Sequence, residues 1–465
     1  MSDLLRALSH ALPEGRVMAP DIDEHGPHLD VCRHDLGVPV AWARPHSTEE
    51  VEAIIRVARD HQVPVVTVGS RTAYWHPLHY QDALVLDLAE FRGVLDSNLE
   101  AGWVRFAAGT PVREADDWLR ARGACLPAHM DGFGDTPIGG MVAVGMNAGM
   151  GMGMGNADTL VAGLTVVLGS GEVVSTGAAH ALNSPPFVRG GLPDPTGFFL
   201  ASEGALGVVT EVVVRAAPRV ALASLSWETP ASARAQSIQG AMALGKALRA
   251  PGLFETFRVE VVDAARGPEV CAHTLVLRSP LSMAELEGRV GWARGEIQRH
   301  FQTDAIAVML EEPAGSPIIE RWQGAPGDWE FMRDRAQLAG VDVLVPRNGI
   351  ERAWEIVEGL TEQAAEIPFH SLRRALYLAP DYANIGMHFL FQEQGAVIRG
   401  SAADAFVQKA VARLAQEAIV PYRWGRHWGA LSARLDPGYA RLVASFKGVC
   451  DPDGLLNPGV SCFGG

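Results

Sequence analysis

Four glycine-bearing turns, far apart along the chain, constrain its fold more than any other feature. Gly69-Ser70-Arg71-Thr72 directly follows the β-branched run VPVVTV (63–68). Asp135-Thr136-Pro137-Ile138-Gly139-Gly140 leads into a Gly/Met stretch that ends at Gly155. Ser202-Glu203-Gly204-Ala205-Leu206-Gly207-Val208-Val209-Thr210 opens a strand, and Asp451-Pro452-Asp453-Gly454-Leu455-Leu456-Asn457-Pro458-Gly459 lies near the C-terminal end. A turn of small residues after a buried strand exposes successive N–H groups, which suits a pyrophosphate. Glycines let the backbone approach a flat ligand closely. Each turn alone reads equally well as an ordinary strand connection. Four in this order point to one shared ligand.

The commoner nucleotide-binding routes are absent. A dinucleotide fingerprint needs G-x-G-x-x-G after an early strand, with an acid about 20 residues on. Here Gly149, Gly151, Gly153 and Gly155 alternate with Met150, Met152 and Met154, and neither a G-x-x-x-x-G-K-[ST] loop nor a G-x-S-x-G elbow occurs.

Composition narrows the class. The 465 residues are 48% hydrophobic and 20% charged, enough apolar material for two or three structural units. A formal net charge of −15 argues against nucleic-acid binding and against adhesion to anionic lipid. No apolar run approaches the roughly 18 residues of a membrane span. Cys32, Cys125, Cys271, Cys450 and Cys462 are scattered, odd in number and without a CxxC pair. They read as free thiols in a reducing compartment. The opening MSDLLRALSHALPEG lacks the basic start and long apolar stretch of a secretion signal. A cytoplasmic location is therefore expected.

Periodicity gives the organisation. Ser47 and Thr48 ahead of Glu49 and Glu50, with Val51, Ile54, Ile55 and Ala58, predict an amphipathic helix over 48–61. Strands are expected at 63–68, 83–88, 103–109, 164–169 and 202–215, with a helix at about 111–122. Pro218 to about Ser232 marks a boundary. Beyond it, helices over 232–249 and 283–301 and strands over 253–262, 273–279 and 304–310 predict an antiparallel sheet with helices on one face, continuing through 345–395. Helices over 402–417 and 437–448 close the chain.

The order of the four turns resembles the vanillyl-alcohol oxidase / p-cresol methylhydroxylase (PCMH-type) family of FAD enzymes. The match covers about 40–220 and about 420–465, with a weaker middle. The resemblance implies an α+β fold: a two-subdomain FAD-binding domain (1–220, rejoined by 421–465) and an α+β cap (221–420) carrying an antiparallel sheet with helices. It implies FAD contacts from Val68, Gly69, Ser70, Arg71, Thr72, Asp135, Thr136, Gly139, Gly140, Gly155, Glu203, Gly204, Gly207, Val208, Val209 and Asn457. It also implies a homodimer, and hydride transfer from a small organic substrate to flavin N5, with oxygen or another electron acceptor closing the cycle.

Within that family the para-phenol oxidases look most similar at the reactive positions. Tyr74 falls where their first loop carries a Tyr, Asp131 where a carboxylate lies beside flavin N5, and Tyr422-Arg423 where their Tyr-Arg pair precedes the last helix. Two phenolic hydroxyls and a guanidinium around a phenol oxygen stabilise the phenolate. The electron-rich ring then expels hydride from its para benzylic carbon, and a carboxylate helps add water to the quinone methide. The bland alternatives are packing for Tyr74, a turn or cap for Asp131, a surface ion pair for Arg423, and wall or core for Trp424 and Trp428. His388 is a fifth catalytic candidate, its alternative a hydrogen-bonded core histidine.

Several positions depart from the family. The strand IGMHFLF places Asn384 or Ile385 where a flavin-tethering His is usual, so non-covalent FAD is expected, with His76 as a displaced possibility. Pro421 replaces an acid. Access of oxygen depends on packing over flavin C4a, where the resemblance would place Met130. The 2-hydroxyacid dehydrogenases of the same superfamily are the runner-up; of their H-x-G-D-G-N-x-H metal motif, YANIGMH retains only the last His. A flavin-dependent transferase such as the ether-lipid synthases, a lyase, or a non-catalytic flavin-binding subunit are further alternatives. No metal is expected: His25, His28, Cys32 and His34 do not have a standard zinc spacing.

Overall fold

The computed structural model describes residues 2–20, 36–71, 79–126, 136–145, 157–248, 253–264, 270–311, 337–363, 371–391, 402–417, 419–429 and 431–460. Helix α1 (Ser2–Ala11) precedes strands β1 (Val17–Met18) and β2 (Ala41–Ala43), then helix α2 (Thr48–Asp60). The predicted cap of α2 forms: Ser47 Oγ accepts from Glu50 N at 3.2 Å, and the Glu50 carboxylate accepts from His46 N at 2.7 Å. Val51, Ile54, Ile55 and Ala58 are buried, as their spacing requires. Strands β3 (Val65–Val68) and β4 (Leu84–Asp87) complete a four-stranded sheet of order β1-β2-β4-β3, in which β2, β4 and β3 run parallel.

A second sheet follows. Strands β5 (Val94–Asn98) and β6 (Trp103–Ala107) lead to helix α3 (Val112–Arg120), β7 (Ala124–Cys125) and the short helix α4 (Ile138–Ala143). Strands β8 (Val161–Val167), β9 (Val173–Ser175) and β10 (Val208–Arg215) give an antiparallel order β5-β6-β10-β8-β9. Strand β11 (Ala217–Pro218) pairs with β7. The two sheets share a core, since Leu84 and Leu86 cluster with Ala108, Val167 and Val208.

From β12 (Ala221–Pro230) onward the chain builds one eight-stranded antiparallel sheet. In chain order come α5 (Arg234–Ala247), β13 (Phe254–Ala264), β14 (Val270–Ser279), α6 (Met283–Phe301), β15 (Ala307–Glu311), β16 (Gln337–Pro346), α7 (Ile350–Gln363), β17 (Ser371–Leu378), β18 (Tyr382–Phe391), α8 (Ala402–Gln416) and β19 (Val420–Pro421). The strand order is β15-β12-β14-β13-β17-β18-β16-β19. Helix α6 starts where Ser282 Oγ accepts from Glu285 N at 3.1 Å. Helices α5 to α8 bury their apolar stripes on one face, where Leu244, Ile297, Val357 and Val411 meet Phe257, Leu275, Val343 and Met387. Each such side chain contributes about 1.5–3 kcal/mol by leaving water. Strands alternate, so every second residue of β16 and β18 stands on the opposite face.

The last helix, α9 (Pro437–Cys450), returns to the first part of the chain, with Phe446 stacked on Phe198 at 4.1 Å and Cys450 in the core of the second sheet. Among the described residues, no helix is long and apolar enough to cross a membrane.

Candidate active site

The C-terminal turn stitches the other turns together. Asp451 accepts from Leu455 N at 3.0 Å and Leu456 N at 2.9 Å and pairs with Lys447, whose ammonium also donates to the Ala205 carbonyl at 2.6 Å. This locks the segment beside β3: Val65 N donates to the Leu455 carbonyl at 2.8 Å, and Asn457 N to the Val65 carbonyl at 2.9 Å. The Asn457 carboxamide then bridges two turns. Its Oδ1 accepts from Thr67 N at 2.8 Å, and its Nδ2 donates to the Glu203 carbonyl at 2.7 Å. Gly204 has φ +75°, and a Cβ there would lie 2.4 Å from Asn457 Nδ2, so glycine is required on both counts.

The other turns meet the same place. A Cβ on Gly69 would lie 2.6 Å from the Pro137 ring, and one on Gly139 would lie 2.6 Å from Ala108. The loop after β3 thus abuts the N-terminal turn of α4. Thr136 is 6% exposed, and its hydroxyl has no hydrogen-bond partner among the described residues. A buried hydroxyl without such a partner, one residue before Pro137, fits a ligand oxygen. Arg71 adopts φ +57°, its guanidinium 4.9 Å over Trp42 and 3.5 Å from the Asp87 carboxylate. Its side chain therefore shapes the loop from behind.

The structure brings Val68, Gly69, Ser70, Arg71, Thr136, Gly139, Gly140, Glu203, Gly204 and Asn457 into these abutting turns. Gly207 packs on Val166, and the Val208 and Val209 side chains are core, so any ligand contact there is through backbone. Thr72, Tyr74, His76, residues 25–34, Met130, Asp131, Asp135 and Gly155 lie outside the described residues.

A second cluster lies on the cap sheet. Val341, Val343, Ile385 and Met387 belong to the helix-side core, so Asp342 and His388 stand on the other face. His388 Nε2 lies 3.1 Å from Asp342 Oδ2. Tyr422 N donates to the Asp342 carbonyl at 3.0 Å, continuing the β16–β19 pairing. Arg423 donates to the Tyr422 hydroxyl at 2.9 Å, with its guanidinium 4.3 Å over that ring. Two residues on, Gly425 N donates to the Glu203 carboxylate at 3.3 Å, tying this strip to the cradle of turns. Trp428 is core, in keeping with the bland reading, and Trp424 packs against that core. Asp342 escapes sequence reading. Its signal is the pair Gly340-x-Asp342 and Gly386-x-His388, glycines set in strands where they otherwise weaken packing. Among the described residues, no group of three or more His, Cys, Asp or Glu side chains could hold a metal ion.

Comparison with known proteins adds a domain and its relatives. A model of the FAD binding domain matches residues 39–177. D-2-hydroxyglutarate dehydrogenase of Xanthomonas citri is 31% identical over 210 residues, 45% of this chain and 43% of that enzyme. Here the match spans less than half of the relative's length. D-lactate dehydrogenase of Anaerostipes hadrus is 22% identical over 99% of this chain and 97% of its own. The 1'-carboxy-chondrochloren decarboxylase of Chondromyces crocatus is 24% identical over 89% of each. The chain carries an FAD binding domain over residues 39–177. Its fold is similar to that of p-cresol methylhydroxylase (TM-score 0.78, 14% identity, 100% of this chain and 97% of that one). The 4-ethylphenol oxidase of Gulosibacter chungangensis, solved with isoeugenol, gives a TM-score of 0.76 at 15% identity over 98% and 96%. FAD is the cofactor, and the abutting turns with the buried Thr136 hydroxyl fit its pyrophosphate end.

Proposed function

We propose that the chain removes hydride from a small phenolic or aromatic-alcohol substrate held between the flavin cradle and the inner face of the cap sheet. In this reading residues 1–220 and 421–465 form the FAD-binding domain and 221–420 the cap. FAD supplies the hydride acceptor. The single observation that carries the substrate class is the Tyr422–Arg423 pair, a hydroxyl and a guanidinium 2.9 Å apart and linked to the cradle through Glu203 and Gly425. A phenol oxygen placed there receives two donors, which stabilise its anion and orient the para carbon. Tyr74 and Asp131 are assigned the second phenol contact and the carboxylate near the reacting carbon. A cytoplasmic homodimer that passes electrons to oxygen or another acceptor completes the reading. The described residues Cys271 and Cys450 are free thiols, in keeping with a reducing compartment.

A second reading, oxidation of a 2-hydroxyacid, is favoured by the similarity to D-lactate dehydrogenase along nearly the whole chain. Here Arg423 would take the carboxylate. Anaerobic mixing of the flavin-loaded enzyme with 4-hydroxybenzyl alcohol or D-lactate separates the two. Bleaching at the flavin bands by the phenol and its loss in Arg423→Leu support the first reading, and bleaching by D-lactate alone overturns it.

A further inference from the structure

The reciprocal glycine pairing on the cap face explains why two strands sacrifice packing there. In the β16–β18 register, Gly340 faces His388 and Gly386 faces Asp342. A Cβ on Gly340 would lie 2.6 Å from His388 Cδ2; one on Gly386 would lie 2.5 Å from Asp342 Oδ1 and 2.7 Å from His388 Cε1. The imidazole and the carboxylate therefore lie flat across the strands, in space that only glycine leaves open. Both keep a small opening, with side-chain exposures of 11% for His388 and 15% for Asp342. On the other side of Asp342 the pairing Val343–Pro421 and the Tyr422 N to Asp342 carbonyl bond make Tyr422 its cross-strand neighbour. Directly opposed residues of an antiparallel pair share a face, with Cβ atoms roughly 5 Å apart. Asp342 thus stands between the Tyr422–Arg423 pair and His388.

We propose that Asp342 is a substrate-facing hydrogen-bond acceptor and that His388 is its positioning residue, a role resting on the phenol reading above. The His388 Nδ1 atom is shielded from solvent, and Nε2 is engaged with Asp342. The imidazole therefore acts through the carboxylate. A phenol hydroxyl bound here donates its hydrogen to Asp342 while its oxygen accepts from Tyr422 and Arg423. On ionisation the phenol O–H bond breaks and an O–H bond forms on Asp342, leaving the anion against the guanidinium.

The test compares phenol with anisole, which lacks the hydroxyl hydrogen, as unreactive probes read by the visible difference spectrum of the flavin-loaded enzyme. In the wild type phenol binds more tightly than anisole. Asp342→Asn reduces that preference about tenfold, as expected for a hydrogen bond to a charged group. Gly386→Ala, which displaces the pair, does the same. His388→Gln, which keeps an N–H donor, retains more of the preference than His388→Leu, an order that mere packing would not produce. An unchanged phenol-to-anisole ratio in Asp342→Asn overturns the proposal. If the wild type ignores both probes, the phenol reading fails on its own, and glycolate against acetate replaces the pair. Loss of the hydroxyl-dependent gain in Asp342→Asn then supports Asp342 as acceptor, and its persistence overturns it.

Discussion

Replacing Asn457 by alanine tests whether the flavin cradle is held together from the C-terminus. The substitution withdraws the acceptor of Thr67 N and the donor to the Glu203 carbonyl, both in a region where Asn457 is 4% exposed. Each buried backbone group that loses its partner costs about 1–3 kcal/mol. Asn457 also sits at φ +38°, where alanine is disfavoured by about 1–2 kcal/mol. The expected loss is therefore about 3–8 kcal/mol before relaxation. Some falls on global stability and some on FAD binding, because the two bonds join β3 to the Glu203-Gly204 turn. Urea unfolding of the FAD-free protein and titration of FAD by quenching of its fluorescence measure the two shares. We expect a lower unfolding midpoint and an FAD dissociation constant raised at least about tenfold, with far-UV dichroism retained. Gly204→Ala, which strikes the same carboxamide, should reproduce the pattern. Unfolding free energy and FAD affinity both within about 0.5 kcal/mol of the wild type would refute the reasoning.

Three further outcomes follow from named contacts. His273, buried in the cap core and stacked on Trp227 at 5.0 Å, is pushed down to about 4 by burial, with the backbone of Trp227 and Cys271 offsetting part of the effect. Its unfolded form binds the extra proton, so its contribution is complete above about pH 6.5 and fades as pH falls towards 4. The loss, about 3 kcal/mol at most, shows as a fall in urea midpoint between pH 7 and 4 that His273→Phe flattens. Arg423→Leu should lower kcat/KM for a para-phenol about a hundredfold with FAD content unchanged, measured by stopped-flow flavin reduction; equal loss of FAD would assign Arg423 to the cradle instead. Gly139→Val, driven into Ala108, should yield protein that elutes with little FAD, read as the ratio of flavin to protein absorbance.

What the sequence makes legible depends on how local the cause is. Helices α2 and α6 are written in their caps, Ser47 and Ser282, and in apolar spacing, so their limits fall within a residue of expectation. The cradle is legible for a different reason: a backbone that must pass within contact distance of Pro137, Ala108 or Asn457 can only be glycine, and glycine is visible in sequence. The helix–strand pattern of 221–395 likewise reveals an antiparallel sheet. It does not reveal that both halves join one sheet, because the β13–β17 pairing links residues more than a hundred apart. Asp342 is hidden by the same non-locality. Within ten residues only Gly340 distinguishes it from a solvent-facing acid on an alternating strand. Its meaning comes from His388, 46 positions away, and from Tyr422 across the other edge. Asn457 is the converse case, visible as part of DPDGLLNPG, where the resemblance implies a contact with FAD. Both ends of its carboxamide are spent on Thr67 and Glu203. An effect on FAD therefore passes through the alignment of those two turns, whatever the carboxamide's second N–H and lone pair meet. That is why FAD affinity and apoprotein stability should fall together at this position.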